Sequence, residues 1–186
     1  SESWNWKWNG ADNWNGGGLH YSEDYGYGLV NAYTAGRFSE VWSMLHDASQ
    51  TSSNELSVST GLIAVNREIS ERSPLSYTFN VSQNISLEHV ALTVNLQHTY
   101  FTDLRIQLVS PEGTVMSLYD GLSGDSSTSD YGLSYTFGVP GLRGEMSAGA
   151  WTLQLQDDVL EDAGILNSLS FRGFGSAFSS NDIYHY

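Results

Sequence analysis

The chain has 186 residues, 40% of them hydrophobic, enough for one substantial domain or for a domain with an appended segment. Seven Lys and Arg against 21 Asp and Glu give a formal charge of −14. That balance argues against nucleic acid as a partner, because phosphate contact needs a basic surface, and leaves carboxylates available for divalent cations. The absence of cysteine rules out disulfides, thiolate nucleophiles and thiolate-bound zinc. No apolar run approaches the ~20 residues of a membrane-spanning helix. No basic segment followed by an apolar one marks a signal peptide.

Residues 1–46 differ in composition from the rest. Trp4, Trp6, Trp8 and Trp14 stand among Asn and Gly, and Gly16-Gly17-Gly18 follows as a break. Three indoles within five residues of a free terminus would be costly to expose, so the chain is expected to be a fragment of a longer precursor. Leu29, Ala32, Tyr33 and Gly36 have the i, i+3, i+4, i+7 spacing of a helix face. Phe38, Val41, Trp42 and Leu45 extend it to about His46. Residues 47–55 are small, polar and aperiodic, and read as a linker.

Beyond the linker the hydrophobic period becomes two. Leu56–Val58 with Leu62–Val65 predicts an opening strand, and Leu75, Tyr77, Phe79 and Val81 alternate as a second. Val90, Leu92, Val94, Leu96 and His98 form a third, then Leu104, Ile106 and Leu108 a fourth. Val115–Tyr119, Leu133–Phe137, Trp151–Leu155 and Leu169–Phe171 complete the series. About eight short strands between Gly, Ser, Asp and Pro turns predict an all-β, antiparallel sandwich, and a jelly roll is a natural way to arrange them. The N-terminal segment is expected to be short, helical and irregular.

Catalytic machinery is missing. No Gly-x-Ser-x-Gly elbow and no Gly-Thr-Ser-x-Ala segment occurs, and the five histidines form no close ligand pair. His98 continues the inward register of its strand and is expected to brace the core or a turn. Asp103 is expected to cap a turn, with metal ligation as the rival role. Ser110-Pro111-Glu112-Gly113-Thr114 reads as a hairpin turn of purely geometric function. Asp157, Asp158, Glu161 and Asp162 crowd one turn, so Asp157, Asp158 and Asp162 with Asp103 are the candidate calcium ligands, against a simple solvated acidic turn. The tryptophans at 4, 6 and 8 would suit a sugar-binding platform, or packing against an upstream domain.

Two stretches carry a family resemblance. Trp14-Asn15, then His20 to Ala32 with Tyr25-Gly26-Tyr27-Gly28, resembles the end of a subtilase catalytic domain, with Tyr27 at a position usually Phe and Asn31 at one usually Asp. Residues 58–175 resemble the P domain that follows the catalytic domain in kexin-like and furin-like subtilases. The carriers are Asp103-Leu104, Ser110-Pro111-x-Gly113-Thr114, Gly144-Glu145, Gly149-x-Trp151 and Asp157…Gly164, with Arg143 at a position usually aromatic. The resemblance implies a jelly roll packed on a protease domain, stabilising it and tuning its calcium and pH dependence. It also implies that the catalytic Asp, His and Ser lie upstream of Ser1, in a secreted serine endopeptidase. The expected division is 1–46 catalytic-domain remnant, 47–55 linker, 56–175 P domain and 176–186 tail. Such a remnant, parted from its own protease domain, is expected to be loosely packed or to dimerise. The rival is a free-standing adhesion or carbohydrate-binding sandwich.

Overall fold

In the computed structural model, residues 14–45, 53–70, 73–121, 132–159 and 163–177 are described. One helix, α1 (Ala32–Leu45), precedes eight strands: β1 (Leu56–Ser70), β2 (Leu75–Val81), β3 (Ser86–His98), β4 (Leu104–Val109), β5 (Val115–Asp120), β6 (Gly132–Val139), β7 (Gly149–Asp157) and β8 (Ala163–Ser176). They form two four-stranded sheets, ordered β1-β8-β3-β6 and β2-β7-β4-β5, with every pairing antiparallel. The chain crosses repeatedly between sheets, which is the jelly-roll order, so the expected all-β sandwich is the fold.

Period-two alternation sends one face of each strand into the gap between the sheets. Val90, Leu92, Val94 and Leu96 of β3, Leu104, Ile106 and Leu108 of β4, and Trp151, Leu153 and Leu155 of β7 are all buried. The centre is aromatic and spans both sheets. Phe171 of β8 lies 4.8 Å from Trp151 of β7 and 5.9 Å from Phe79 of β2, ring centre to ring centre, at tilted angles. The Trp151 indole N–H has one outlet, the Ser147 carbonyl at 2.9 Å. The core is thereby tied to the turn just before β7.

Two elements depart from the periodicity. The helix starts at Ala32 rather than Leu29, because Asn31 caps it: its side-chain Oδ1 accepts from Thr34 N at 2.9 Å. Strand β8 begins at Ala163, well before Leu169, so the end of the acidic run is strand rather than turn. Gly164 makes this possible. A Cβ there would lie 2.3 Å from the His98 ring and 2.6 Å from the Gln97 carbonyl.

Replacing Trp151 by Ala leaves a cavity between the sheets and frees the 147 carbonyl. Urea unfolding is expected to show a loss of roughly 3–5 kcal/mol.

Candidate functional site

Within the segment expected to be loosely packed or to dimerise, residues 14–28 are seated on the sandwich. Residues 14–28 lie against the turn leading from β6 to β7, where Pro140–Leu142 form one turn of 3-10 helix. Strand β3 holds that turn from beneath: Gly144 N donates to Leu87 O at 2.7 Å, Leu87 N to Glu145 O at 2.9 Å, and Ser147 N to Ile85 O at 3.0 Å. Its outward carbonyls and amides are therefore fixed in space before the upstream segment arrives.

Asn15 is buried, and its whole amide is used. Nδ2 donates to Gly141 O and to Arg143 O, each at 2.9 Å, and Oδ1 accepts from Leu19 N at 2.8 Å. Gly16 N is shared between Thr114 Oγ1 at 2.9 Å and Glu145 Oε1 at 3.0 Å. Close approach requires glycine here. A Cβ on Gly17 would meet the Arg143 carbonyl at 2.5 Å, and one on Gly16 would meet Glu112 at 2.1 Å. Further along, Tyr21 is buried and packs edge-on against Tyr27 at 5.0 Å. The Tyr27 hydroxyl donates to Pro140 O at 2.5 Å and accepts from Arg143 N at 3.2 Å. Glu23 accepts from Ser117 N of β5 at 2.8 Å, which extends the seam along the second sheet.

Two departures from the family pattern gain a reason. Tyr27 uses the hydroxyl that a Phe would lack, and Arg143 contributes its backbone N and O while its side chain is exposed. The side chain at 143 is thus free to change. Burial, the larger effect, and the nearby Tyr21 and Glu145 push the Tyr27 hydroxyl up to about 12, against lowering by Arg143, so it stays protonated through neutral pH. Ser110 and Thr114, expected to serve only as hairpin residues, also line this seat. Gly113 does turn the hairpin at φ +88°, with its N–H donating to Ser110 O at 3.0 Å.

Glu145 is the unusual group. It is 1% exposed, and burial raises its pKa above the ordinary 4.5. Hydroxyls of Ser110 and Thr114 and the Gly16 N–H oppose the rise, while the Glu112 charge adds to it. Oε2 has no donor in hydrogen-bonding position. The carboxylate's charge is therefore only partly compensated in the pocket.

The acidic candidates within the described residues each have other partners. Asp157 is buried against His98, with Oδ2 3.2 Å from Nε2 and both side chains fully inaccessible. That distance suits an ion pair but lies off the line of a hydrogen bond, and neither atom has another partner among the described residues. Tyr100 brackets the other ring nitrogen, Nδ1, with its carbonyl at 2.8 Å and its N–H at 3.1 Å. His98 belongs to one sheet and Asp157 to the other, so the pair braces one end of the sandwich, as the register of His98 suggested. Asp158 pairs with Arg105 at 2.6 Å and accepts from Gln156 at 2.8 Å. Asp103 caps through its backbone rather than its carboxylate: its carbonyl accepts from Asp158 N at 3.0 Å, and Oδ1 takes only the Thr102 hydroxyl at 3.3 Å. Asp162 lies outside the described residues, as do Trp4, Trp6 and Trp8. Among the described residues, no three His, Asp or Glu side chains are grouped to hold a metal ion.

The jelly-roll sandwich thus presents a fixed turn on which the segment upstream of it is docked. Residues 87–172 match the family model described as Proprotein convertase P-domain. The extracellular serine protease of Aeromonas sobria is 30% identical over 161 residues, covering 80% of this chain and 26% of the protease. Mouse proprotein convertase subtilisin/kexin type 7 is 29% identical over 181 residues, covering 91% of this chain and 22% of that protein. The crystal structure of the A. sobria serine protease superposes with a TM-score of 0.68 at 22% identity, over 87% of this chain and 33% of that one. Residues 87–172 are thus a proprotein convertase P domain, and the chain spans about a quarter of the length of these curated relatives.

Proton binding at Glu145 is linked to folding. The folded chain holds its proton more tightly than the unfolded one, so stability is fully present below about pH 4.5 and declines as pH rises through the raised folded value. Glu145→Gln keeps an acceptor for Gly16 and cannot ionise. Its urea midpoint is expected to fall less than that of the parent between about pH 4 and about pH 7. Tyr27→Phe should cost about 1 kcal/mol of docking, read as faster hydrogen exchange at Gly16 and Leu19 with the strands unaffected.

Proposed function

We propose that this chain is the C-terminal part of a secreted kexin-like serine endopeptidase, in which the P domain holds and stabilises the end of the catalytic domain. Residues 1–46 are assigned to that catalytic end, 47–55 to the linker, 56–175 to the P domain and 176–186 to a tail leading onward. The carrying observation is the seat itself: Asn15, Gly16 and Tyr27 of the upstream segment bond to the turn at 140–145 and to Thr114. Coverage of 91% by the mouse convertase supports the assignment, because the alignment must run well upstream of residue 87.

The next partner is the rest of the catalytic domain. Leu29, Val30 and Tyr33 are 80%, 91% and 79% exposed, and Phe38 and Val41 add to the same uncovered apolar surface around α1. Such a surface is poorly suited to water. A protease domain continuous with this segment would cover it, and self-association of the separated chain is a proposal tied to the same surface. Secretion fits the A. sobria relative, an extracellular serine protease, and among the described residues no helix is long and apolar enough to cross a membrane.

Calcium enters through relatives named calcium-dependent protease, from Trichormus variabilis and a Nostoc species, each 29% identical over 151 residues. The described part of the acidic turn fits an ion poorly. Asp157 is sealed against His98, and Asp158 would have to exchange Arg105 for the cation. We therefore place calcium dependence in the parent protease, with a site at Asp103, Asp157, Asp158 and Asp162 as the weaker version.

The reading frame upstream of Ser1 tests parentage. A Gly-Thr-Ser-x-Ala segment, with catalytic His and Asp before it, is expected there, and its absence sinks the proposal. Thermal melts of this chain in calcium and in chelator test the acidic turn. Equal midpoints are expected, and a midpoint raised by calcium as mass action requires would restore a site in the turn.

A further inference from the structure

Asn15 is followed by Gly16, and the two hold the first hydrogen bonds of the seat. Asn-Gly is the sequence in which an asparagine side chain is most open to attack by its own backbone. Glycine has no Cβ to keep the following nitrogen away from the side-chain carbon. We propose that Asn15 is a deamidation site held inert by docking, and that its conversion makes separation of the upstream segment from the P domain irreversible.

The reaction needs three freedoms, and the seat removes each of them. Gly16 N must turn toward Asn15 Cγ, but its N–H is committed to Thr114 Oγ1 and Glu145 Oε1. The Asn15 amide must rotate, but Nδ2 is held by the Gly141 and Arg143 carbonyls and Oδ1 by Leu19 N. Water must reach the side chain, which is 4% exposed. Once the segment lifts off, all three return together. Gly16 N then forms a bond to Cγ, the Cγ–Nδ2 bond breaks, and ammonia leaves with the proton from Gly16 N. Water opens the resulting succinimide at either carbonyl, leaving aspartate or isoaspartate at position 15.

The product cannot return to the same seat. Its ionised carboxylate has no N–H to offer the Gly141 and Arg143 carbonyls, so two acceptors would face a third. Glu145 and Glu112 stand beside the seat, in a chain already at −14. An isoaspartate also lengthens the backbone by one carbon, in a segment where Gly17 leaves no spare room against Arg143. The proposal rests on the docked geometry, and holds whether or not the upstream segment belongs to a protease.

Peptide mapping by mass spectrometry after incubation at mildly alkaline pH reads the amide-to-acid conversion. Hydrogen exchange at Gly16 reads docking in the same samples. Asn15 is expected to convert at least about tenfold more slowly in the folded chain than in urea, the factor set by a local opening of 1.4 kcal/mol. Tyr21→Ala removes a buried anchor of the segment. Across the parent, Tyr21→Ala and Tyr27→Phe, conversion is expected to rise in step with Gly16 exchange. Conversion that ignores exchange, or proceeds equally in folded and unfolded chain, overturns the protection. Asn15→Asp is expected to lose Gly16 protection at neutral pH and to recover part of it in acid, where the carboxyl can donate one bond. Full protection of that variant at neutral pH overturns the irreversibility.

Discussion

The indole of Trp151 is where core and function meet. Its ring fills the space between the sheets against Phe171, and its one polar atom is bonded to the Ser147 carbonyl at the base of the docking turn. A buried N–H left unpaired costs on the order of 1–3 kcal/mol, so the turn cannot drift without disturbing the centre of the sandwich. Ser147 passes the constraint on, since its hydroxyl donates to Gln83 O and accepts from Ile85 N. The carbonyls of Gly141 and Arg143 therefore stand ready-placed for an incoming asparagine. Preorganisation of this kind lets a few hydrogen bonds hold a segment that buries little of its own surface.

The seat relies on backbone more than side chains on the sandwich side. Pro140, Gly141 and Arg143 offer carbonyls or an amide, and the segment supplies the side chains that read them. This explains how an arginine can stand where the family usually has an aromatic residue without loss of the contact. Thr114 and Glu145 are the exceptions, and Glu145 is a buried carboxylate whose charge the pocket only partly compensates. Its position on a contact between two parts of the chain ties the strength of that contact to pH. The opposite end of the sandwich is braced differently, by the sealed His98–Asp157 pair reaching across the sheets. Removing one member of such a pair is far worse than never having had it, because the other is left as an uncompensated buried group.

Much of the fold was legible because strand periodicity is a local property. Val90 to His98 and Leu104 to Leu108 alternate strictly, and burial follows that alternation residue by residue. The helix near 32–45 was legible from spacing, and its true start from Asn31 only through the cap. The site was hardly legible. Asn15 and Glu145 each looked like family markers, yet the amide that follows Asn15, at Gly16, meets Glu145 across 129 positions. The partners of the acidic run were no more legible. Crowded carboxylates suggest a cation when read along the chain, but Asp157 points inward to His98 and Asp158 sideways to Arg105.

By itself the sequence determined the all-β class, the in-facing residues of most strands, and the turn glycines and prolines. These depend on hydrophobic period and on φ preferences, each a matter of near neighbours. The tertiary structure alone decided which polar groups are partnered and by what. Pairing strands β3 and β7 into opposite sheets brings His98 to Asp157, and anchoring the 140–147 turn on β3 brings Glu145 under Gly16. Burial then turns those encounters into the strongest constraints in the molecule, because water is no longer there to substitute for a missing partner.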